Sequence, residues 1–335
     1  MSFIKEFWAK LLQKLSKNQK VFLALVADHT KGSPGTTGAK LWVSETGEIC
    51  GTIGGGIMEQ KLIDRAKEIL KQEAFTPEIQ TLYHRTSGFG EKSGMICSGS
   101  QTNLYYLCRP SKDREIIEKV VFLIERDISG SLSIDTSGIS VEEKAVDLSQ
   151  PTIQLTQESG SWRYEEQLLN RKRIAIIGGG HCSLELSRVM AQLDYDVLVF
   201  DTRHEILTLT QNTYTSSVKI VEDYQVAGAL IPFPQLTCVV VMTSDYASDI
   251  CALLGAVSLP FPFIGVIGSL AKIATIFEQL QQSGISETEL SRLYAPVGLP
   301  IGSHTPEEIA ISIAAQILQE RRKWLNPVTD WENAR

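Results

Sequence analysis

Several absences limit the functions that are open to this 335-residue chain. Basic residues are not in excess, because 32 Lys and Arg stand against 39 Asp and Glu, and no basic tract occurs. Nucleic-acid binding is therefore not expected. The longest apolar runs, Val21–Ala27 and Thr237–Met242, have the length of strands and are too short to span a bilayer. We expect neither a nucleic-acid nor a membrane partner.

The six cysteines lack the spacing of a metal site or a disulfide framework. No two of them form a CxxC pair, which argues against zinc and iron–sulfur sites. Cys97 lies in the polar loop 94–99, where exposure suits a reactive thiol, although an incidental loop cysteine fits the pattern equally. The N-terminus lacks the hydrophobic core and cleavage site of a signal peptide. These features predict a reduced, cytoplasmic protein with no metal ligands.

The first 20 residues predict an amphipathic helix. Five apolar side chains share one face and lysines occupy the rest: Phe3, Phe7, Leu11, Leu12 and Leu15. This pattern favours a helix that docks on the protein core, with a helix lying on a membrane surface as the alternative.

The length of the chain favours two domains. The second half alternates strands near 173–177, 196–200, 218–221, 237–242 and 262–266 with helices, which predicts a parallel sheet covered on both faces. We therefore predict an α/β protein. An N-terminal α+β domain (1–165) is followed by a C-terminal Rossmann-like domain (166–335).

A glycine loop of the dinucleotide-binding type opens the second domain. Gly178 and Gly180 fill the first two glycine positions of the fingerprint, with Gly179 between them and Ser183 in the third position. Asp201 ends the next strand, at the position where an acid binds a ribose 2′-hydroxyl. Because Arg203 is nearby, a ligand with a 2′-phosphate is compatible with this position too. NAD(P) is therefore a candidate cofactor. A Rossmann scaffold that binds nothing, or another nucleotide-like ligand, is the alternative.

Further polar residues follow the predicted strands of this sheet. His181 follows the glycines and is either a phosphate contact or proton carrier, or an ordinary loop residue. Asp245 and the Gly268-Ser269 pair follow later strands, at the edge where such sheets bind ligands. A capped helix start is the alternative interpretation of Gly268-Ser269.

The first domain carries a separate glycine loop, GTIGGG, at 51–56. Gly54, Gly55 and Gly56 lead into a helix, an arrangement that makes an anion-binding nest. Glu59, in the first turn, suits a hydrogen-bond acceptor for a heterocycle. No Gly-Lys-Ser/Thr follows, so the loop is not a P-loop. A purely structural turn is the alternative.

Together these motifs resemble the XdhC/CoxI family over residues from about 20 to about 320. They are Gly32-Ser33-Pro34, Gly38-Ala39-Lys40, GTIGGG with Glu59, the later GGGH loop, and Pro296–Gly302 followed by Thr305–Ala310. The chain reads Cys97-Ser98-Gly99 where relatives often carry Cys-Gly-Gly. The resemblance implies a xanthine dehydrogenase accessory factor that binds the molybdenum cofactor (molybdopterin), shields it and inserts it into a molybdoenzyme.

The resemblance also implies partners and site residues. It implies a cytoplasmic homodimer that serves a xanthine dehydrogenase-type enzyme, with a cysteine desulfurase as a further candidate partner. The two glycine loops, Cys97, His181, Asp201, Asp245 and Gly268-Ser269 would then handle the cofactor. Molybdopterin is a heterocycle that carries a phosphate, so two glycine loops facing one cleft fit it.

Two other functions stay open at this point. The first is an NAD(P)-dependent oxidoreductase, which would need an acid or base near the nicotinamide, and His181 and Asp245 are the candidates. The second is a nucleotide-sensing module without catalysis. Copurified pterin would separate the accessory factor from both, and turnover with a nicotinamide would separate these two from each other.

Overall fold

The computed structural model describes residues 3–83, 99–145, 147–148, 150–158, 160–321 and 323. Among the described residues, those from Phe3 to Leu169 form one compact unit, and those from Asn170 onward form a second. The N-terminal unit is α+β and the C-terminal unit contains a parallel sheet, so the predicted fold class is confirmed.

Within its described residues, the N-terminal unit contains two antiparallel sheets and three helices. Its strands are β1 (Val21–His29), β2 (Lys40–Ser44), β3 (Ile49–Thr52), β4 (Glu78–Tyr83), β5 (Ser100–Cys108), β6 (Gly130–Asp135), β7 (Gly138–Glu143), β8 (Ile153–Glu158) and β9 (Ser161–Gln167). Its helices are α1 (Phe3–Ser16), α2 (Gly56–Leu70) and α3 (Pro110–Glu125). The sheet orders are β3-β2-β1-β5-β4 and β7-β6-β9-β8.

Strand β1 is buried on both faces, and this explains its almost continuous apolar sequence. Val21, Leu23 and Leu25 belong to a core shared with α1, α3 and the four-stranded sheet. The residues between them face a second core that α2 covers. Side chains alternate along a strand, so one strand supplies both layers.

Helix α1 is a docking helix, as its pattern predicts. Phe7, Trp8 and Leu11 are fully buried, and the helix packs against α3. Its apolar face is therefore covered by protein. Within the described ranges, no helix is long and apolar enough to cross a membrane.

The C-terminal unit is a six-stranded parallel sheet with helices on both faces. Its strands are β10 (Arg173–Ile177), β11 (Asp196–Asp201), β12 (Ser217–Ile220), β13 (Thr237–Val241), β14 (Phe263–Val266) and β15 (Leu293–Tyr294). Its helices are α4 (His181–Gln192), α5 (Leu207–Gln211), α6 (Tyr246–Ala256), α7 (Leu270–Gln282), α8 (Glu287–Leu290) and α9 (Pro306–Glu320), with 3₁₀ turns at Tyr224–Val226, Gly228–Leu230 and Pro234–Leu236.

The strand order is β12-β11-β10-β13-β14-β15, which is the order of dinucleotide-binding Rossmann folds. Helices α4 and α9 cover one face of this sheet, and α6 and α7 cover the other. All five predicted strands are present, and β15 is a short strand that the sequence pattern did not indicate. Helix α9 begins with a capping box between Thr305 and Glu308 and with Pro306 in its first turn.

Candidate functional site

The predicted residues of the C-terminal unit gather at one edge of its parallel sheet. Gly178 follows β10, Asp201 ends β11, Asp245 follows β13, and Ser269 follows β14. The strands are parallel, so these positions all lie at their carboxyl ends. The strand order reverses between β10 and β13, and ligands of open α/β sheets bind at that switch point.

The three glycines of the β10–α4 turn have different surroundings. A Cβ on Gly178, whose φ is +108°, would collide with the Met242 carbonyl oxygen, and a Cβ on Gly179 would collide with the Leu209 side chain. A Cβ on Gly180 would have no atom of the described residues within 4 Å. The first two glycines are therefore required by packing, whereas Gly180 leaves open space of the kind that lets a ligand approach the backbone.

Helix α4 presents its N-terminus beside Gly180. Its first intrahelical bond runs from Leu184 N to the Gly180 carbonyl oxygen, at 3.1 Å. The N–H groups of His181, Cys182 and Ser183 consequently have no partner within the helix, and they carry the positive end of its dipole. His181 is exposed in this first turn. This end of the helix has the chemistry of an anion-binding site.

Asp201 occupies the position of a ribose-binding acid, but its carboxylate is fully buried and already bonded. Oδ2 accepts from Gly179 N at 2.6 Å and from Arg203 Nη2 at 2.8 Å. Oδ1 accepts from Arg203 N at 2.8 Å and from Arg203 Nε at 2.9 Å. Burial raises the pKa of Asp201, but these hydrogen bonds outweigh burial and lower the pKa to about 2.

A second buried acid lies where β13 ends. Asp249 is fully buried, and its Oδ1 accepts from Thr243 N at 3.0 Å and from Thr243 Oγ1 at 2.6 Å. Its Oδ2 forms an ion pair with Lys272 Nζ at 2.5 Å. This arrangement links the start of α6 to the start of α7 and fixes the edge of the sheet on the far side of the switch point.

Asp245 and Ser269 cap helices. Asp245 Oδ1 accepts from Ser248 N at 2.9 Å, and Ser269 Oγ accepts from Lys272 N at 3.3 Å. Hydrogen bonds from the Ser248 backbone and side chain lower the pKa of Asp245. For Gly268-Ser269, the capped helix start is thus the arrangement that the structure contains.

In the N-terminal unit, Glu59 folds back onto the glycine loop. Its Oε2 accepts from Thr52 Oγ1 at 2.6 Å, Ile53 N at 2.9 Å and Gly55 N at 3.1 Å. Gly54, Gly55 and Gly56 all have positive φ, which favours glycine, and the Ile53 and Gly55 N–H groups converge on this carboxylate as in an anion-binding nest. The chain's own carboxylate therefore supplies an anion to this nest.

A buried glutamine, which the sequence interpretation missed, holds two loops of this unit together. Gln101 Oε1 accepts from Gly35 N at 3.1 Å and from Ser33 Oγ at 2.9 Å. Gln101 Nε2 donates to the Ile53 carbonyl oxygen at 3.1 Å and to Asn103 Oδ1 at 2.9 Å. The loop 31–38 is thereby tied to the GTIGGG loop. Cys97, the remaining predicted site residue, lies outside the described residues.

Segments of both units match family models. Residues 174–317 match the XdhC Rossmann domain, and residues 15–81 match the XdhC and CoxI family. The chain belongs to the XdhC/CoxI family. The Rossmann match spans β10 to α9 and so includes the whole glycine-loop edge described above.

Individual relatives of this XdhC/CoxI chain are distant. It is 26% identical over 297 residues to the uncharacterized protein YqeB of Escherichia coli strain K12, covering 89% of this chain and 43% of that protein. It is 27% identical over 153 residues to a probable xanthine dehydrogenase subunit of Bacillus subtilis strain 168, covering 46% of this chain and 44% of that protein. The chain thus spans less than half the length of these curated relatives.

One solved structure shares the fold over the full chain. It is a Bacillus halodurans protein, described as a xanthine dehydrogenase and determined at 2.80 Å. It aligns over 99% of both chains with a TM-score of 0.72 and 21% identity. At this identity the likeness shows the fold alone.

Proposed function

We propose that this XdhC/CoxI protein is an accessory factor that binds the molybdenum cofactor, shields it, and delivers it to a xanthine dehydrogenase-type enzyme. Family membership supports this role, and so does the name of the Bacillus subtilis relative. The observation that carries the proposal is the open side of Gly180 beside the start of α4, at the switch point of the sheet.

The residues at this edge fit the phosphate of molybdopterin. The N–H groups of His181, Cys182 and Ser183 would hold the phosphate, because they combine free donors with the positive end of the helix dipole. The missing side chain of Gly180 leaves room for the ligand. When bound, the cofactor carries the molybdenum centre that the recipient enzyme uses. This chain's own residues would bind it, orient it and exclude water.

The hydrogen bonds of Asp245 argue against this residue as the acid or base of an NAD(P)-dependent oxidoreductase. A general acid or base works best when its pKa lies near the operating pH. The Ser248 hydrogen bonds lower the pKa of Asp245, so this carboxylate is poorly matched to proton transfer. The oxidoreductase would then depend on His181.

Equilibrium binding to the full chain under anaerobic conditions tests the proposal. Purified molybdenum cofactor is titrated alongside NAD, NADP and FAD. We expect the cofactor to bind tightly and stoichiometrically, and Gly180→Val to weaken that binding while the protein stays folded, because the new side chain enters open space.

Gly284→Val provides a control for a side chain added at an open glycine outside the site. A Cβ on Gly284 would also have no atom of the described residues within 4 Å, but Gly284 follows the other end of α7, away from the carboxyl edge. Its φ of +88° makes valine more strained there than at Gly180, so it is the harsher test of folding. Nucleotide binding without cofactor binding would instead favour the oxidoreductase.

Delivery needs a separate measurement. Apo-xanthine dehydrogenase is incubated with cofactor alone or with cofactor-loaded protein, and the recovered activity is compared. We expect the loaded protein to give faster and fuller recovery of activity. We also propose that the chain acts as a homodimer and that it contacts a cysteine desulfurase. Equal recovery with free cofactor would contradict delivery while leaving binding intact.

A further inference from the structure

We infer that Asp201 and Arg203 together determine the ligand specificity of the Rossmann unit. The pair closes the position where such folds bind a free ribose diol, and it presents a guanidinium to a phosphate instead. The unit therefore prefers a ligand that carries a phosphomonoester over a dinucleotide with a free 2′-hydroxyl. This inference rests on the proposed function. The single phosphate of molybdopterin would be held at the start of α4 with Arg203 as a second contact, because Asp201 Oδ2 accepts both from Arg203 Nη2 and from Gly179 N of the same glycine turn.

The hydrogen bonds of Asp201 account for the first half of the inference. An ionised carboxylate offers about four lone-pair positions. In Asp201 each oxygen accepts two hydrogen bonds, one set from Gly179 N and Arg203 Nη2 and the other from Arg203 N and Nε. No acceptor position is then left for the two hydroxyls of a ribose.

The fork between the two side chains is also costly to open. Asp201 is fully buried, so losing the guanidinium would leave a buried carboxylate short of donors. A ligand with a free diol would replace the two guanidinium bonds with hydroxyl bonds to the same carboxylate, and the buried negative charge would lose its positive partner. Such a ligand is therefore disfavoured at this position.

Arg203 accounts for the second half. Its fork to Asp201 uses Nε and Nη2, and a further hydrogen bond joins the side chain to Tyr224, so only part of the five guanidinium N–H donors is left for a ligand. The Arg203 side chain is 42% exposed, whereas the Asp201 side chain beneath it is 0% exposed. The accessible charge at this position is thus positive, and its planar donors match a phosphate.

The first test compares NAD with NADP, which differ by one phosphate. The full-length protein and its Arg203→Ala, Arg203→Lys and Arg188→Ala variants are titrated with each dinucleotide and with purified molybdenum cofactor. Arg188 is the matched control, because it is on α4, pairs with Glu185 and is also 42% exposed. Thermal melting confirms that each variant is folded.

We expect the wild type to bind NADP more tightly than NAD. Arg203→Ala should weaken binding of NADP and of the cofactor about 10- to 100-fold, the range of one charged hydrogen bond. It should also strengthen NAD binding, because Asp201 regains free acceptors. The affinities of Arg203→Lys should lie between those of the wild type and of Arg203→Ala, since lysine keeps the positive charge but cannot form the two-pronged bond to Asp201. Arg188→Ala should match the wild type.

The outcomes separate this inference from the proposed function. If the cofactor binds and needs Gly180, but Arg203→Ala changes neither its affinity nor the NADP-to-NAD ratio, the inference is overturned and the proposed function stands. If the cofactor does not bind but the ratio falls in Arg203→Ala, the inference stands and the proposed function fails. If neither dinucleotide binds, the affinity of Arg203→Ala for the cofactor decides the inference: weaker binding supports it, and unchanged binding overturns it. Binding of none of the three overturns both.

Discussion

The ion pair between Lys40 and Glu166 allows a quantitative prediction about the N-terminal unit. Lys40 Nζ lies 2.7 Å from Glu166 Oε1 and 2.8 Å from Oε2, and the two side chains are only 3% and 8% exposed. Tyr164, which is fully buried, donates to Glu166 Oε2 at 2.7 Å. Lys40 belongs to β2 and Glu166 to β9, so the pair joins the two sheets. Lys40, the last residue of the Gly38-Ala39-Lys40 motif, therefore has a structural role.

The perturbation is Lys40→Met, which keeps the length of the side chain and removes its charge. The change leaves Glu166 buried with Tyr164 as its only partner in this group. Removing one member of a buried pair typically costs about 3–5 kcal/mol. For a domain of this size, such a loss lowers the melting temperature by about 10 °C.

The assay is thermal and chemical unfolding of the full-length protein, with intrinsic fluorescence and circular dichroism as probes. A surface control comes from Lys71, which pairs with Glu68 while 70% exposed. Lys71→Met should change the unfolding free energy by at most about 0.5 kcal/mol. The double variant Lys40→Met/Glu166→Leu should be more stable than Lys40→Met, because it removes the uncompensated charge.

Two results would refute this reasoning. One is a Lys40→Met protein that melts like the Lys71→Met control, which would mean that the buried lysine charge contributes nothing to stability. The other is a double variant as unstable as the single one, which would place the loss in side-chain packing instead of in the charge left behind.

Two further predictions concern residues of the candidate site. Gln101→Leu should destabilise the N-terminal unit by about 2–4 kcal/mol, because it leaves buried backbone groups of the two loops unsatisfied. Amide hydrogen exchange should then quicken in residues 31–38 and 51–56, and unchanged exchange would contradict the bridge. The pKa of Asp201 is about 2 in the folded protein, against an ordinary value of 3.8, so this carboxylate stabilises the fold at pH above about 4. That contribution, about 2 kcal/mol, should be lost as the pH falls from about 4 to about 2, and the pH dependence should flatten in Asp201→Asn.

The Rossmann unit could be predicted from the sequence because its signals are local. Apolar runs mark β10 and β11, the glycines mark the turn, and Asp201 ends the second strand at the expected separation. Each signal depends on neighbours in the chain and on few tertiary contacts. The start of α9 carries a signal of the same local kind, because its capping box is formed by residues three apart.

The bonding of the site residues could not be predicted, since it depends on contacts between distant segments. Nothing in the sequence shows that Arg203 turns back onto Asp201 or that Glu59 turns back onto Gly55. For Gln101 a signal was present. Gln101 and Asn103 alternate along the buried strand β5, and polar side chains at a period of two within a buried strand indicate an internal hydrogen-bond network.

The two glycine loops differ in what they leave for a ligand. Both accept a carboxylate from their own unit: Glu59 takes the Ile53 and Gly55 N–H groups, and Asp201 takes the Gly179 N–H group. Gly55 and Gly180 both have an open side, but Glu59 places a negative charge in the first turn of α2, whereas the first turn of α4 contains no acidic residue beside its N–H groups. A ligand phosphate therefore meets free donors at α4, while at α2 it would have to displace Glu59. This difference leads us to place the phosphate of the cofactor at α4, and to expect Glu59→Gln to affect the stability of the loop more than the affinity for the cofactor.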